Sequence, residues 1–187
     1  LDQIDNGAMA LPQFQRGYVW SRDQVRALMG SLYRKYPVGG LLVWVTKTEN
    51  AEVRGDGKLQ PGSIELLLDG QQRITSLYGI VRGRAPNFFE GNVQAFTGLY
   101  FNIEDETFEF FMSQKMSNNP LWINVLEVMI HGMGNFITPF TSDPTYSNKV
   151  NDYINRLSKL QNIRDIDLHV ELVTGEDKTL DVVVDIF

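Results

Sequence analysis

Apolar positions recur in this chain with two different periods, and each change of period marks an element. Val25, Leu28, Met29, Leu32, Tyr33 and Tyr36 fall three and four apart, so a helix is predicted over Ser21 to Tyr36. Ser21 and Gln24 form a capping-box pair at its start, and Trp20 with Val25 stands at the spacing of a hydrophobic staple. Pro37-Val38-Gly39-Gly40 closes that helix, and Leu41 to Thr46 reads as a buried strand. A second buried strand runs from Ile64 to Leu68. Ile74, Leu77, Tyr78 and Val81 then return to helical spacing. Between them lies Asp69-Gly70-Gln71-Gln72-Arg73, a Gly-led turn into a helix that starts close to Asp69, with Asp69 and Gln72 as its expected capping pair.

The other segments read less sharply. Leu11 to Trp20 is a short strand or an extended arm. Lys47 to Ser63 is a polar loop, and its Gly55-Asp56-Gly57-Lys58 lacks the spacing of a Walker A motif. Gly79 to Thr97 reads as a long connection. Gly98 to Ile103 and Phe108 to Met112 predict a hairpin that turns at Glu104 to Thr107. Asn119-Pro120 should open a helix carrying Trp122, Ile123, Leu126, Met129 and Ile130, stopped by Gly132. A second helix should follow Ser142-Asp143-Pro144, and Asp165 to Val173 alternates as a half-exposed strand. Leu180 to Phe187 fits a helix or a strand. These elements predict an α/β (α+β) fold: a mixed-sheet core over residues 1–118, then a helical portion with a closing strand, residues 119–187, as part of the same domain.

Composition narrows the chemistry. The chain has 187 residues, 43% of them hydrophobic, enough for one domain with a sizeable core. Its net charge of −6 argues against binding DNA over a broad surface, because such affinity comes from neutralising phosphates. With no cysteine, disulfides, thiol chemistry and Cys-ligated zinc are excluded. The histidines, His131 and His169, stand apart and suggest no metal site. No apolar run approaches the ~20 residues of a membrane span, and no signal-peptide pattern opens the chain, so the expected location is the cytoplasm. The chain starts at Leu1 and stops within an apolar stretch, and we read it as a fragment of a longer protein.

No G-x-S-x-G, H-E-x-x-H or G-x-G-x-x-G motif is present. The polar residues left to explain are Gln15, Arg16, Asp69, Gly70, Gln71, Gln72 and Arg73. A strand–Gly–helix turn leaves first-turn N–H groups free, and these attract anions. Arg73 places a cation where the helix dipole prefers an anion, which makes sense if a phosphate binds between them. The plainer alternative is a capped core helix whose Arg73 reaches solvent or a carboxylate.

These same residues carry a family resemblance. Pro12-x-Phe14-Gln15-Arg16-x-Tyr18-Val19-Trp20, then Pro37-Val38-Gly39, then Leu68-Asp69-Gly70-Gln71-Gln72-Arg73 resemble the N-terminal domain of GmrSD-type, modification-dependent restriction endonucleases. Val182 to Phe187 is similar to the segment just before that family's Asn-Ser-Gly-Gly motif. The resemblance implies a ParB/sulfiredoxin-like core in which Gly70-Gln71-Gln72-Arg73 binds nucleotide phosphates. It also implies hydrolysis of a nucleoside triphosphate (GTP or ATP, with Mg²⁺) that controls a nuclease domain, in the same or a partner chain, in defence against phage with modified DNA. On that reading Arg16, Gly70, Gln71, Gln72 and Arg73 hold phosphate. Asp69, Gln71 and Gln72 are the catalytic candidates, with Asp69 on Mg²⁺, supported by Gln15, Tyr18 and Trp20. Replacing Arg73 is then expected to spare folding. Two competing readings use less: a non-catalytic nucleotide or DNA-modification sensor, or a ParB-like DNA-binding or nuclease domain with a local patch of Arg22, Arg26, Arg34, Lys35, Arg82 and Arg84.

Overall fold

The computed structural model describes residues 1–55 and 61–175, so Asp56 to Lys58 of the polar loop and the Leu180 to Phe187 segment lie outside it. A short helix α1 (Asp2–Asp5) and strand β1 (Met9–Ala10) open the chain, followed by helix α2 (Arg22–Tyr33) and strand β2 (Leu41–Lys47). Strand β3 (Ser63–Asp69) then leads into helix α3 (Gln71–Arg82). The hairpin forms as expected, from β4 (Leu99–Asn102) and β5 (Thr107–Phe110). Helix α4 (Ser113–Met116), strand β6 (Trp122–Asn124) and helices α5 (Val125–His131), α6 (Gly134–Ser142) and α7 (Val150–Gln161) come next, and β7 (Val170–Val173) ends the described chain.

Two sheets result. The first is mixed, in the order β1-β3-β2-β7: β1 is parallel to β3, β2 antiparallel to β3, and β7 parallel to β2. The second is antiparallel, in the order β5-β4-β6. Helix α3 serves both. Ile74 and Tyr78 pack on Leu41, Val43 and Leu67 of the mixed sheet. Leu77 and Ile80 enter a larger core with α2, the hairpin, α5 and α7. That core joins residues from both sides of position 118. Each buried aliphatic side chain contributes about 1.5–3 kcal/mol. Gly79 has no side chain because the Phe96 ring occupies the place: a Cβ there would lie 2.2 Å from it.

Several expected elements differ. The helix expected after Asn119-Pro120 begins later, at the Asn124 cap, whose Oδ1 accepts from Glu127 N–H at 3.4 Å. Trp122 and Ile123 belong instead to β6, paired with Asn102 and Phe101. Long-range strand pairing there outweighs a local helical spacing. Tyr146 lies in a 3₁₀ turn (Pro144–Tyr146), so the following helix starts only at Val150. Helix α6 forms with Pro139 inside it, a residue that argues against a helix in the sequence. Only Val170–Val173 of the Asp165 to Val173 stretch is strand. Leu11 to Trp20 is an irregular arm touching Val53 through a single bridge at Pro12. Where β4 turns into β5, Asn102 Oδ1 accepts from the N–H groups of Glu104 and Asp105.

That turn is tied to α7 and α2 by charge. Glu104 accepts from Lys149 and from Tyr153 Oη (2.6 Å), and Glu106 accepts from Tyr33 Oη (2.6 Å) and lies 3.4 Å from Arg156 Nε. The hydrogen bond from Lys149 holds the Glu104 carboxyl below its usual range, and that from Tyr33 does the same for Glu106. Burial raises the Tyr33 and Tyr153 hydroxyls. A carboxylate with a depressed folded pKa contributes stability that is present above about pH 4.3 and lost as pH falls through the folded value. A raised tyrosine loses its contribution as pH climbs above about 10. The melting temperature should therefore hold between these limits and fall outside them. Glu104→Gln and Glu106→Gln should each flatten the acid limb. Thermal melts from pH 3 to 8 check this, and an acid limb unchanged in both variants would refute it.

Candidate functional site

Strand β3 delivers Asp69 to its end, and Gly70 then turns the chain with φ +95°. Gly70 is the N-cap of α3 and no side chain caps the helix. The expected Asp69–Gln72 capping pair does not form. The left-handed turn starts the helix one residue later than read, which leaves Asp69 in the strand with its carboxylate 3.1 Å from Arg73 Nη2. The first helical backbone bond runs from Ile74 N–H to Gly70 O at 3.0 Å. The backbone N–H groups of Gln71, Gln72 and Arg73 have no acceptor among the described residues. Together with the dipole they form an anion-attracting end.

The side chains of this turn grip backbone. Gln71 Nε2 donates to Arg16 O at 2.9 Å. Gln72 is buried and held at both ends of its amide: Nε2 donates to Gly17 O (3.2 Å), and Oε1 accepts from Val19 N–H (2.9 Å) and Trp20 N–H (3.3 Å). Gln15 returns the contact, donating to Leu68 O at 2.6 Å. Arg73 donates to Val38 O at 2.6 Å and Gly40 O at 2.7 Å, holding the loop after α2 on both sides of Gly39. Gly39 has φ +82°, and a Cβ there would lie 2.2 Å from Arg73 Nη1. Tyr18 packs against both Phe89 and Phe96. Ser76 Oγ spends its proton on Gln72 O, so the Tyr18 hydroxyl donates to Ser76, at 2.7 Å. Burial raises that hydroxyl's pKa, which keeps the donor in place.

The gripped segments wall a cleft of about 550 Å³. Arg16, Asp69, Gly70, Gln71, Gln72 and Arg73 all line it, with Gln15 and Trp20. Arg16 is exposed, and its guanidinium has no hydrogen bond or ion pair among the described residues. The opposite wall, Gln24, Ala27, Leu28 and Ser31 of α2, went unsingled in the sequence. Its signal was a 3-4-7 spacing on the helix face that starts at the capping glutamine.

Across the whole chain, residues 1–187, the sequence matches the profile of the GmrSD restriction endonuclease N-terminal domain. The chain belongs to this family. A stretch of 92 residues is also 37% identical to the uncharacterized protein MJ0686 of Methanocaldococcus jannaschii, covering 44% of this chain and 16% of that relative. The family is named for the N-terminal domain of a restriction endonuclease. Among the described residues, no helix is long and apolar enough to cross a membrane.

The structure of this GmrSD N-terminal domain commits most of the basic residues that would have formed a DNA patch. Arg26 pairs with Asp23 and Glu109, and Arg82 pairs with Asp2 and Asp5. Arg84 also pairs with Asp5. Arg22 donates to Gln94 O and stacks on Phe110, and Arg34 donates to Gly30 O. Among the described residues no three His, Cys, Asp or Glu side chains converge as a metal cage. Asp69 alone, with a largely exposed carboxylate, suits only the mode in which Mg²⁺ keeps its waters and rests on one carboxylate and substrate phosphates.

Proposed function

We propose that this domain binds a nucleoside triphosphate, GTP or ATP, in the α3 cleft, hydrolyses it, and thereby controls a nuclease domain in the same or a partner chain that cuts modified DNA. One observation carries the reading: an uncapped helix start and the unpaired guanidinium of Arg16 open into the same cleft. Anion sites are built this way, from backbone N–H groups and a planar, permanently charged fork. Arg73 adds positive charge at the rim while two of its bonds hold the loop at Val38 and Gly40. Asp69 would hold Mg²⁺, which would neutralise phosphate charge when bound. Of the two glutamines, Gln72 is spent on the arm, whereas Gln71 Oε1 has no donor among the described residues and is the acceptor left to orient an attacking water. The hold of the arm on both ends of the Gln72 amide favours a second reading, a sensor that binds nucleotide without turnover. Phosphate release from GTP and ATP separates the two.

Arg16→Ala tests the phosphate site. Its side chain is exposed and unpartnered, so the melting temperature should stay within about 1–2 °C of wild type. Nucleotide affinity should fall about tenfold through loss of a charge-assisted contact. Titration calorimetry with GTP and ATP in Mg²⁺ measures this, and an unchanged affinity would overturn the assignment.

A further inference from the structure

Strand β7 ends the mixed sheet with one side unpaired. Among the described residues its only strand neighbour is β2. The bond from Leu41 N–H to His169 O, at 2.8 Å, sets the alternation of this parallel ladder. His169, Glu171 and Val173 therefore turn their backbone groups to β2, whereas Val170 and Leu172 turn their N–H and C=O groups outward. The side chains of Val170 and Leu172 share a face with Leu41 and Val43, which are buried beside α3, yet they are 40% and 56% exposed. His169 and Glu171 stand on the opposite face, with Nε2 and Oε1 3.7 Å apart. An edge with free backbone groups, exposed aliphatic side chains and no Pro or Lys is a template for another strand. The other outer strand of this sheet, β1, is two residues long with Met9 buried, and offers no such row.

We propose that β7 pairs antiparallel with β7 of a second copy of this chain, about a two-fold axis at Val170, joining two four-stranded sheets into one. Outward groups meet outward groups only when the axis passes a residue, and charge chooses among the residues. An axis at Glu171 would set that carboxylate opposite its own copy, which is destabilising. An axis at Leu172 would set Glu171 opposite Val173 and match no charge. An axis at Val170 sets Glu171 of each copy opposite His169 of the other, where an imidazole N–H donates to the carboxylate. Val170 then exchanges both backbone bonds with its copy, and Leu172 lies opposite Leu168. The exposed aliphatic groups are covered on the α3 side, and the two-fold closes the assembly at two copies. Residues of β7 line no part of the α3 cleft, so the pairing stands apart from the nucleotide reading.

Sedimentation of the 187-residue chain over about 1–500 μM tests the pairing, with wild type passing from one copy to two at a midpoint of about 10–100 μM, the strength of a small interface. Val170→Lys places two ammonium groups at the axis and should weaken association about tenfold or more. Leu172→Pro removes an outward N–H, leaves the ladder to β2 in place, and should weaken association to the same degree. Thermal melts verify that both variants fold. The chain has no cysteine, so single cysteines report the register without background and carry the test even where a melt shows either variant unfolded. Val170→Cys should crosslink into a dimer under mild oxidation, because paired Cα atoms at the axis lie about 5.5 Å apart. Glu171→Cys should stay uncrosslinked, its two Cα atoms standing about 8 Å apart. The pairing is overturned by a wild type that stays monomeric to the highest concentration, by association that either folded variant leaves unchanged, by a mass that climbs past two copies, or by crosslinking at position 171 in place of 170.

Discussion

Arg73→Ala should lower both stability and nucleotide affinity, and by more than any other single change of a charged residue at the cleft. The guanidinium is largely buried and donates to Val38 O, Gly40 O and Asp69 Oδ2. Removing a charged donor from two loop carbonyls costs about 2–4 kcal/mol. For a domain of this size that is a melting-temperature drop of roughly 5–15 °C. Affinity should fall by about ten- to a hundredfold, through lost positive charge at the rim and a loosened cleft wall. Arg73→Lys keeps the charge and can reach one carbonyl at a time, so it should restore part of both losses. The expectation from sequence that folding would survive this change untouched is revised, because the two carbonyls that Arg73 holds lie more than thirty positions earlier in the chain. Melts and GTP titrations of both variants decide it. An unchanged melting temperature removes the loop-holding role, and unchanged affinity removes Arg73 from the phosphate site.

Gly70→Ala should be the most damaging change of one methyl group. At φ +95° an L-residue pays about 1–2 kcal/mol for the left-handed backbone. The added Cβ would also lie 2.3 Å from Leu41 Cδ2 and 3.1 Å from Arg73 Nη2. Leu41 is buried in the mixed-sheet core, and overpacking there adds about 1–3 kcal/mol. The sum is about 2–5 kcal/mol, read as a lowered urea midpoint with the slope of the transition preserved. Because the same atom pushes on both Leu41 and Arg73, nucleotide affinity should weaken with it. A midpoint shift worth less than about 0.5 kcal/mol would show that the turn relaxes around the methyl.

The motif Asp69 to Arg73 thus acts twice. Its backbone leaves an open helix end, and its side chains fasten the two segments that wall the cleft. That division explains why glutamine and arginine occur there. A long amide reaches a neighbouring backbone and satisfies it in both senses, as Gln72 does with Gly17, Val19 and Trp20. A fork satisfies two carbonyls at once, as Arg73 does across Gly39.

Local periodicity by itself determined α2 with its Ser21–Gln24 box, β2, the run of β3 into α3, and the hairpin β4–β5. In each, the stabilising partners lie within a few residues or repeat at the period of the element, so spacing alone reveals them. The residues that line the candidate site were also legible, because polar groups with no local structural task stood beside a strand–Gly–helix turn. Only the tertiary structure decided what their side chains do. Gln15, Gln71, Gln72 and Arg73 each bond to backbone 33 to 55 positions away. Nothing in local spacing encodes such a partner, so the backbone contacts of these side chains came only from the fold. The same holds for Trp122 and Ile123, which suit a helix until β4 offers a strand to pair with. Whether basic residues stand free or paired also rests on the fold, where Asp23 and Glu109 meet Arg26 and Asp5 meets Arg82 and Arg84. Arg16 alone among the motif's charged groups keeps in the fold the freedom it has in the sequence, because the arm that carries it is held by its backbone carbonyl and not by its side chain.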